Sequence, residues 1–185
     1  MAQADRQRWD SRYAENEGDY SQGPTPLLVK YAPPAGPHSR ALELACGLGR
    51  NALWLAEQGY RVDALDISLE ALRQGQQEAR RRGLAGIHFV AADLDDFPLP
   101  NQQYDLVVVF RFLDRRLFPA IRERVRPGGL AIYETLNVGH LQEHPETSRY
   151  YLLEWGELPH HFPGWTALHT RDGSRMSAFV GRKPE

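Results

Sequence analysis

The sequence predicts an α/β protein built on a doubly wound open sheet, with five parallel strands followed by a C-terminal antiparallel hairpin. Three observations carry that expectation. Short apolar runs alternate with helix-period segments from Ala41 to Thr135. One strand-like run, Ala41 to Ala45, breaks into Gly47-Leu48-Gly49 and resumes at once with helical spacing. Near the end, two strand-like runs are separated only by Asp172-Gly173, a hairpin signal that makes the last strand antiparallel to its partner.

Bulk composition narrows the classes. The chain has 185 residues, 42% hydrophobic and 25% charged, which fits one globular domain spanning 1–185. A net charge of −2 gives no argument for a nucleic-acid or membrane partner. No apolar run approaches the ~20 residues needed to cross a bilayer. The start, Met-Ala-Gln-Ala-Asp-Arg, has no secretion-type apolar core, and a single cysteine excludes an intrachain disulfide. The expected compartment is the cytoplasm. The expected state is a monomer or homodimer.

The elements follow in order. Residues 4–17 read as a polar helix with Trp9 and Tyr13 on one face. A loop from Gly18 leads to a short helix over Pro26–Ala32, with Thr25 as its cap and Pro26 at its first position. After the first strand and its glycine turn, a helix from Arg50 ends at Gly59. Tyr60–Leu65 is the second strand, closed by Asp66, and Leu69–Arg82 is a helix ended by Gly83. Ile87–Ala92 is the third strand, closed by Asp93. Tyr104–Phe110 is almost unbroken apolar sequence, which suits a strand buried on both faces. Leu117, Ile121 and Val125 recur at helical spacing, with Pro119 in the first turn. Pro127-Gly128-Gly129 turns into a fifth strand, Leu130–Thr135, and 166–171 with 174–180 form the hairpin.

Acidic residues stand where such folds bind ligands, just past the carboxyl ends of successive strands. Asp66 follows the glycines at a spacing that suits a ribose, and Asp93 closes the next strand. Glu43 is unusual, since a carboxylate inside a buried strand is costly unless something pairs with it.

These residues resemble the class I S-adenosylmethionine-dependent methyltransferases, with their Rossmann-like sheet, and among them the small bacterial tellurite-resistance-type enzymes. The first motif is Glu43-Leu-Ala-Cys-Gly47-Leu-Gly49-Arg50-Asn51. Asp66, Asp93-Leu94, Tyr104-Asp105 through Phe112, Arg126-Pro127-Gly128-Gly129 and the opening Trp9-Asp10-Ser11-Arg12-Tyr13 follow in the family's order. Ala45 stands where the family has its first glycine. The resemblance implies S-adenosylmethionine as cofactor and S-adenosylhomocysteine as product. It implies that Glu43 holds the methionine ammonium, with Asn51 among the cofactor-binding residues, and that the backbone at Ala45, Gly47 and Gly49 passes under the methionine and ribose. Asp66 would take the ribose hydroxyls, Ile67 the adenine face, and Asp93 with Leu94 the adenine edge. Phe110 and Arg111 would meet the sulfonium and carboxylate. Trp9 and Tyr13, within a capping segment 1–32, would close over the cofactor. On this reading Asp66→Ala abolishes cofactor binding and leaves the fold intact.

Transfer of an activated methyl requires alignment more than acid–base chemistry. A thiolate or reduced chalcogen needs no base, whereas a hydroxyl or amine does. Glu134 at the end of strand five, His140 and His144 just beyond it, and Tyr133 are the candidate proton acceptors, Glu134 foremost for its place at a strand's carboxyl end. Residues 136–164, with Asn137, His144, Arg149, Tyr150, Tyr151, Trp155, His160, His161 and the pair Leu152-Leu153, are the expected wall of a small-molecule acceptor pocket. The histidine spacing matches no familiar metal site, so no metal is expected. Two alternatives stand beside the methyltransferase. Gly47-x-Gly49-x-x-Ala52 with Asp66 also fits a dinucleotide-binding oxidoreductase using NAD(P). The same motifs also fit a non-catalytic S-adenosylmethionine-binding protein.

Overall fold

The computed structural model describes residues 2–15 and 19–185, so positions 16 and 17 of the first expected helix lie outside the described residues. The chain forms two compact units, one up to Pro100 and one from Asn101 to Glu185.

In the first unit, helices α1 (Ala2–Glu15) and α2 (Pro26–Tyr31) precede β1 (Arg40–Leu44). Then α3 (Arg50–Glu57), β2 (Arg61–Asp66), α4 (Leu69–Arg81) and β3 (Ile87–Ala91) alternate as expected, with boundaries shifted by a residue or two. The strands run parallel, β1 pairing with β2 and β2 with β3. Parallel strands need crossover connections, which α3 and α4 supply. β1 and β2 are buried over most of their length, and their apolar residues Leu42, Leu44, Ala64 and Leu65 are fully enclosed. α4 is amphipathic: Ala71, Leu72, Gly75 and Ala79 face inward while Arg73, Arg80 and Arg81 face out. Thr25 does precede α2, but its side chain makes no cap; its backbone N–H instead donates to Asn51 Oδ1 at 2.8 Å.

In the second unit, β4 (Tyr104–Phe110) runs parallel to β5 (Val125–Leu136), joined by a 3₁₀ turn (Arg115–Leu117) and α5 (Phe118–Arg124), with Pro119 in the first turn of that helix. Strand β5 starts earlier than its apolar pattern suggests. Val125 already pairs with Tyr104, and regular pairing then resumes at Leu106 with Leu130. The Pro127-Gly128-Gly129 turn is thus a bulge inside the strand. Gly129 permits it, because a Cβ there would lie 3.0 Å from both the Asp105 and Arg126 carbonyl oxygens. β6 (Thr166–Asp172) and β7 (Met176–Arg182) form the antiparallel hairpin, closed by Gly173 N–H donating to Met176 O at 2.8 Å. β7 also pairs antiparallel with β5, so it lies between β5 and β6.

The segment expected to wall a pocket is pinned from below. Leu152 and Leu153 are fully buried, so this apolar pair anchors the segment and does not line its surface. Asn137, fully buried, accepts from Gly139 N–H and donates to Gly173 O at 2.9 Å and Ser177 Oγ at 3.1 Å. Arg115 holds the far side, donating to Tyr150 O, Leu152 O and the Glu157 carboxylate. A short helix α6 (Glu157–His160) follows.

Candidate functional site

Backbone strain marks the first unit's site. Ala45 has φ +53°, and Arg111 in the second unit has φ +55°; these are the only described non-glycine residues in the left-handed region. A side chain there costs energy, and such outliers gather at functional positions. Ala45 opens the turn, which continues through Gly47 at φ +54° and Gly49 at φ +70°. Cys46 N–H still donates to Leu65 O, and Gly49 N–H to Cys46 O, so the turn is tied to β2 and to itself. A Cβ at Gly49 would meet the Phe89 ring at 2.6 Å, and one at Gly47 would lie 2.5 Å from the Tyr13 hydroxyl.

Three carboxylates organise this turn. Asp66 is 7% exposed and accepts from Gly47 N–H at 2.7 Å and Ser68 N–H at 2.9 Å. Burial raises its carboxyl, against the lowering effect of these backbone donors. Asp66→Ala would therefore orphan two buried donors, a stability cost that counts against the expectation of an undisturbed fold. Asp10 of α1 accepts from Ser68 Oγ at 2.6 Å and from Glu70 N–H at 3.0 Å, while Ser68 caps Ala71 N–H. α1 is thereby joined to the N-terminus of α4, a second tie being Gln74 Nε2 donating to Tyr13 O at 3.0 Å. Trp9 and Tyr13 stack with centroids 6.1 Å apart, and burial pushes the Tyr13 hydroxyl up to about 12.

The third carboxylate is Glu43, 2% exposed. Asn51 Nδ2 donates to its Oε1 at 2.8 Å, and Asn51 Oδ1 takes Thr25 N–H. Glu43 Oε2 is buried with no hydrogen-bond partner. Burial raises this carboxyl to about 8, although Asn51, the Ala52 N–H and Arg50 lower it and Asp66 raises it further. Asn51 thus spends its amide on Glu43 and Thr25. Ile67 and Asp93 are half-buried and Leu94 is buried; Asp93 Oδ1 accepts from Asp95 N–H at 3.1 Å.

In the second unit, Phe110 ends β4 half-buried, and Arg111, exposed, donates its N–H to Glu134 O at 2.8 Å. The Glu134 side chain is engaged by Arg171 at 2.9 Å. His140 stacks on His144 with centroids 4.5 Å apart, and its Nδ1 is buried without a partner. His160 meets Gly156 O, while His161 stacks on Phe118 and meets Glu157. Among the described residues no three potential ligands cluster as a metal site. Tyr150, Tyr151 and Trp155 are exposed.

A family profile described as "Methyltransferase domain" matches residues 41–129. That stretch carries the sequence pattern of a methyltransferase domain. Among curated relatives, a malonyl-[acyl-carrier protein] O-methyltransferase from Enterobacter lignolyticus is 35% identical over 116 residues, covering 60% of this chain and 44% of that protein. The chain spans less than half the length of the first curated relatives it matches, at 44%, 41% and 42%. The solved structure of the N-methyltransferase NodS from Bradyrhizobium japonicum with S-adenosylhomocysteine aligns with TM-score 0.74 at 18% identity, over 97% of this chain and 98% of that one. TehB from Haemophilus influenzae aligns with TM-score 0.70 at 16% identity, over 95% of this chain and 67% of that one. These structures show that the methyltransferase fold is the doubly wound α/β sheet with a C-terminal antiparallel pair.

The residues of the matched stretch suit S-adenosylmethionine on their own chemistry. An unpartnered buried carboxylate oxygen, Glu43 Oε2, suits an ammonium donor. The glycines at 47 and 49 keep side chains out of the turn. Sequence reading missed two supporting residues, Phe89 and Gly75, and quoted a third, Asp10, without its capping role. Phe89 of β3 underlies the turn, and Gly75 lets α4 touch it, since a Cβ there would lie 2.8 Å from Leu48 O. A glycine inside a helical pattern was the available signal for Gly75. Asp10 capping α4 from another helix had no local signal.

Proposed function

We propose that the protein is an S-adenosylmethionine-dependent methyltransferase acting on a small-molecule acceptor such as a thiol, a chalcogen oxyanion or another small nucleophile. The observation that carries this reading is the buried Glu43 carboxylate with its unpartnered Oε2 beside the strained Ala45–Gly49 turn. A strand-one carboxylate so enclosed is costly without a cationic partner, and the cofactor's ammonium is one. The bound cofactor supplies a sulfonium-activated methyl group. The chain supplies binding, orientation and exclusion of water. Glu43, fixed by Asn51, takes the methionine end, and Ala45, Gly47 and Gly49 give it backbone without side chains. Asp66, Ile67, Asp93 and Leu94 serve the nucleoside. Phe110 and Arg111 keep the strand-four role that the family resemblance implies. Trp9 and Tyr13 in the 1–32 segment act as the cap, and 136–164 as the acceptor wall of one domain.

For a hydroxyl or amine acceptor, Glu134 or His140 takes the proton. Support for His140 is its partnerless buried Nδ1. Glu134 shares its carboxylate with Arg171, so Arg171 positions it. The single cysteine, free and buried, suits a reducing compartment such as the cytoplasm.

Calorimetric titration with S-adenosylhomocysteine, S-adenosylmethionine and NADH tests the cofactor assignment. Binding of both sulfur compounds with NADH silent is the expected result; binding of NADH alone would replace this reading with an oxidoreductase. Turnover is then screened with thiols, chalcogen oxyanions and carboxylates. In that assay Glu134→Gln is expected to lower kcat at least tenfold with cofactor affinity unchanged, if the acceptor is a hydroxyl or amine. A parallel loss of affinity would mean that Glu134 is structural.

A further inference from the structure

We infer that cofactor binding is coupled to loss of a proton from Glu43, so that the site reads pH through its own first-strand carboxyl. This inference rests on the proposed methyltransferase reading.

Glu43 is the penultimate residue of β1, 2% exposed. One of its oxygens is fixed by Asn51 at 2.8 Å, and Asn51 is itself held by Thr25 N–H. The other, Oε2, is buried and partnerless. A charged oxygen enclosed there without a hydrogen-bond donor is costly. A protonated carboxyl avoids the problem, because the proton removes the charge. The charged and titratable groups around it do not change this. Arg50 and the Asn51 and Ala52 donors favour the carboxylate, burial and Asp66 oppose it, and burial is the largest of these effects. Cys46, the neighbouring titratable group, is buried and held as the neutral thiol.

An ammonium arriving at Oε2 reverses the balance. It supplies the charge and the donor that the carboxylate lacks. Glu43 then gives up its proton, which goes to solvent: a carboxylic acid and an ammonium become a carboxylate–ammonium pair plus one released proton. Asn51 acts here as a positioning residue, since it occupies Oε1 and leaves Oε2 for the ligand.

The test is S-adenosylhomocysteine binding to the purified protein, followed by calorimetry at pH 6.5 in phosphate and in Tris–imidazole buffers. The different ionisation heats of these buffers report proton release. Close to one proton released per ligand is expected, with affinity rising about tenfold per pH unit from pH 6 to 7 and levelling off above pH 8. 5′-Methylthioadenosine, which keeps the nucleoside and lacks the ammonium, is expected to bind without releasing a proton. Glu43→Gln, an uncharged isostere that keeps the Asn51 contact, is expected to abolish proton release and flatten the pH dependence. S-Adenosylhomocysteine binding with no proton release and a flat pH profile in the wild-type protein overturns the inference and leaves the methyltransferase reading standing. Absence of any binding by the sulfur ligands overturns both.

Discussion

At the scale of single residues, the site is a set of local costs. Ala45 takes a backbone conformation that disfavours any Cβ, with φ +53°. Ala45→Gly is expected to stabilise the protein by about 1 kcal/mol, which at this chain length raises Tm by roughly 2–4 °C. A thermal melt of the two proteins checks it, and an unchanged or lower Tm would mean the turn is not strained in solution. Glu43 carries a different cost. Its folded-state carboxyl is raised from 4.5 to about 8, so the folded state holds a proton that the unfolded state has lost across that window. Its contribution to stability is therefore full below pH 4.5 and is lost as pH rises through about 8. Glu43→Gln removes that titration. Without cofactor, the variant is expected to match the wild-type protein near pH 4.5 and to exceed it by on the order of 3 kcal/mol at pH 9. Urea melts at the two pH values measure the difference.

At the scale of elements, helix α4 and the glycine turn depend on each other. Gly75 sits mid-helix, where alanine would ordinarily gain about 1 kcal/mol in propensity. Here a Cβ would lie 2.8 Å from Leu48 O and 2.8 Å from the Phe89 ring, so the overlap outweighs the gain. Gly75→Ala is expected to destabilise the protein by about 1–3 kcal/mol and to weaken S-adenosylhomocysteine binding with it, as the turn is displaced. Denaturant unfolding paired with calorimetry reads both effects; a more stable variant would contradict the packing described here. The helix N-terminus was half legible in sequence. Ser68 before Leu69 is a readable cap, while Asp10, which receives Ser68 Oγ and Glu70 N–H, lies about sixty residues away in the chain. No short-range pattern reports such a partner. Asp66, read from its position as a ribose ligand, is equally a clamp on Gly47 and Ser68 N–H, because its two oxygens face the turn and the helix start.

At the scale of the whole molecule, ligand binding and stability are one equilibrium. A ligand that binds only the folded protein stabilises it by about 2.7 kcal/mol at a hundredfold excess over Kd. S-Adenosylhomocysteine at that excess is expected to raise Tm by several degrees and NADH to leave it unchanged; the reverse pattern in a thermal-shift measurement would reject the cofactor assignment.

Alternation of apolar runs with helical periods determined the α/β class. The order of strands and helices was equally legible, because hydrophobic period is a local property of the chain. So were the glycine turn, the buried carboxylate in β1 and the terminal hairpin, each written in a few consecutive residues. Tertiary structure alone decided what those residues touch. It placed Asn51 against Glu43 and left one oxygen bare, paired Glu134 with Arg171, and buried Leu152 and Leu153 beneath a segment read as a pocket wall. It also set β7 between β5 and β6. The physical reason is range. Period and turn chemistry act over a few residues, whereas hydrogen-bond partners, burial and the proton affinity of a carboxyl depend on groups that only the folded chain brings together.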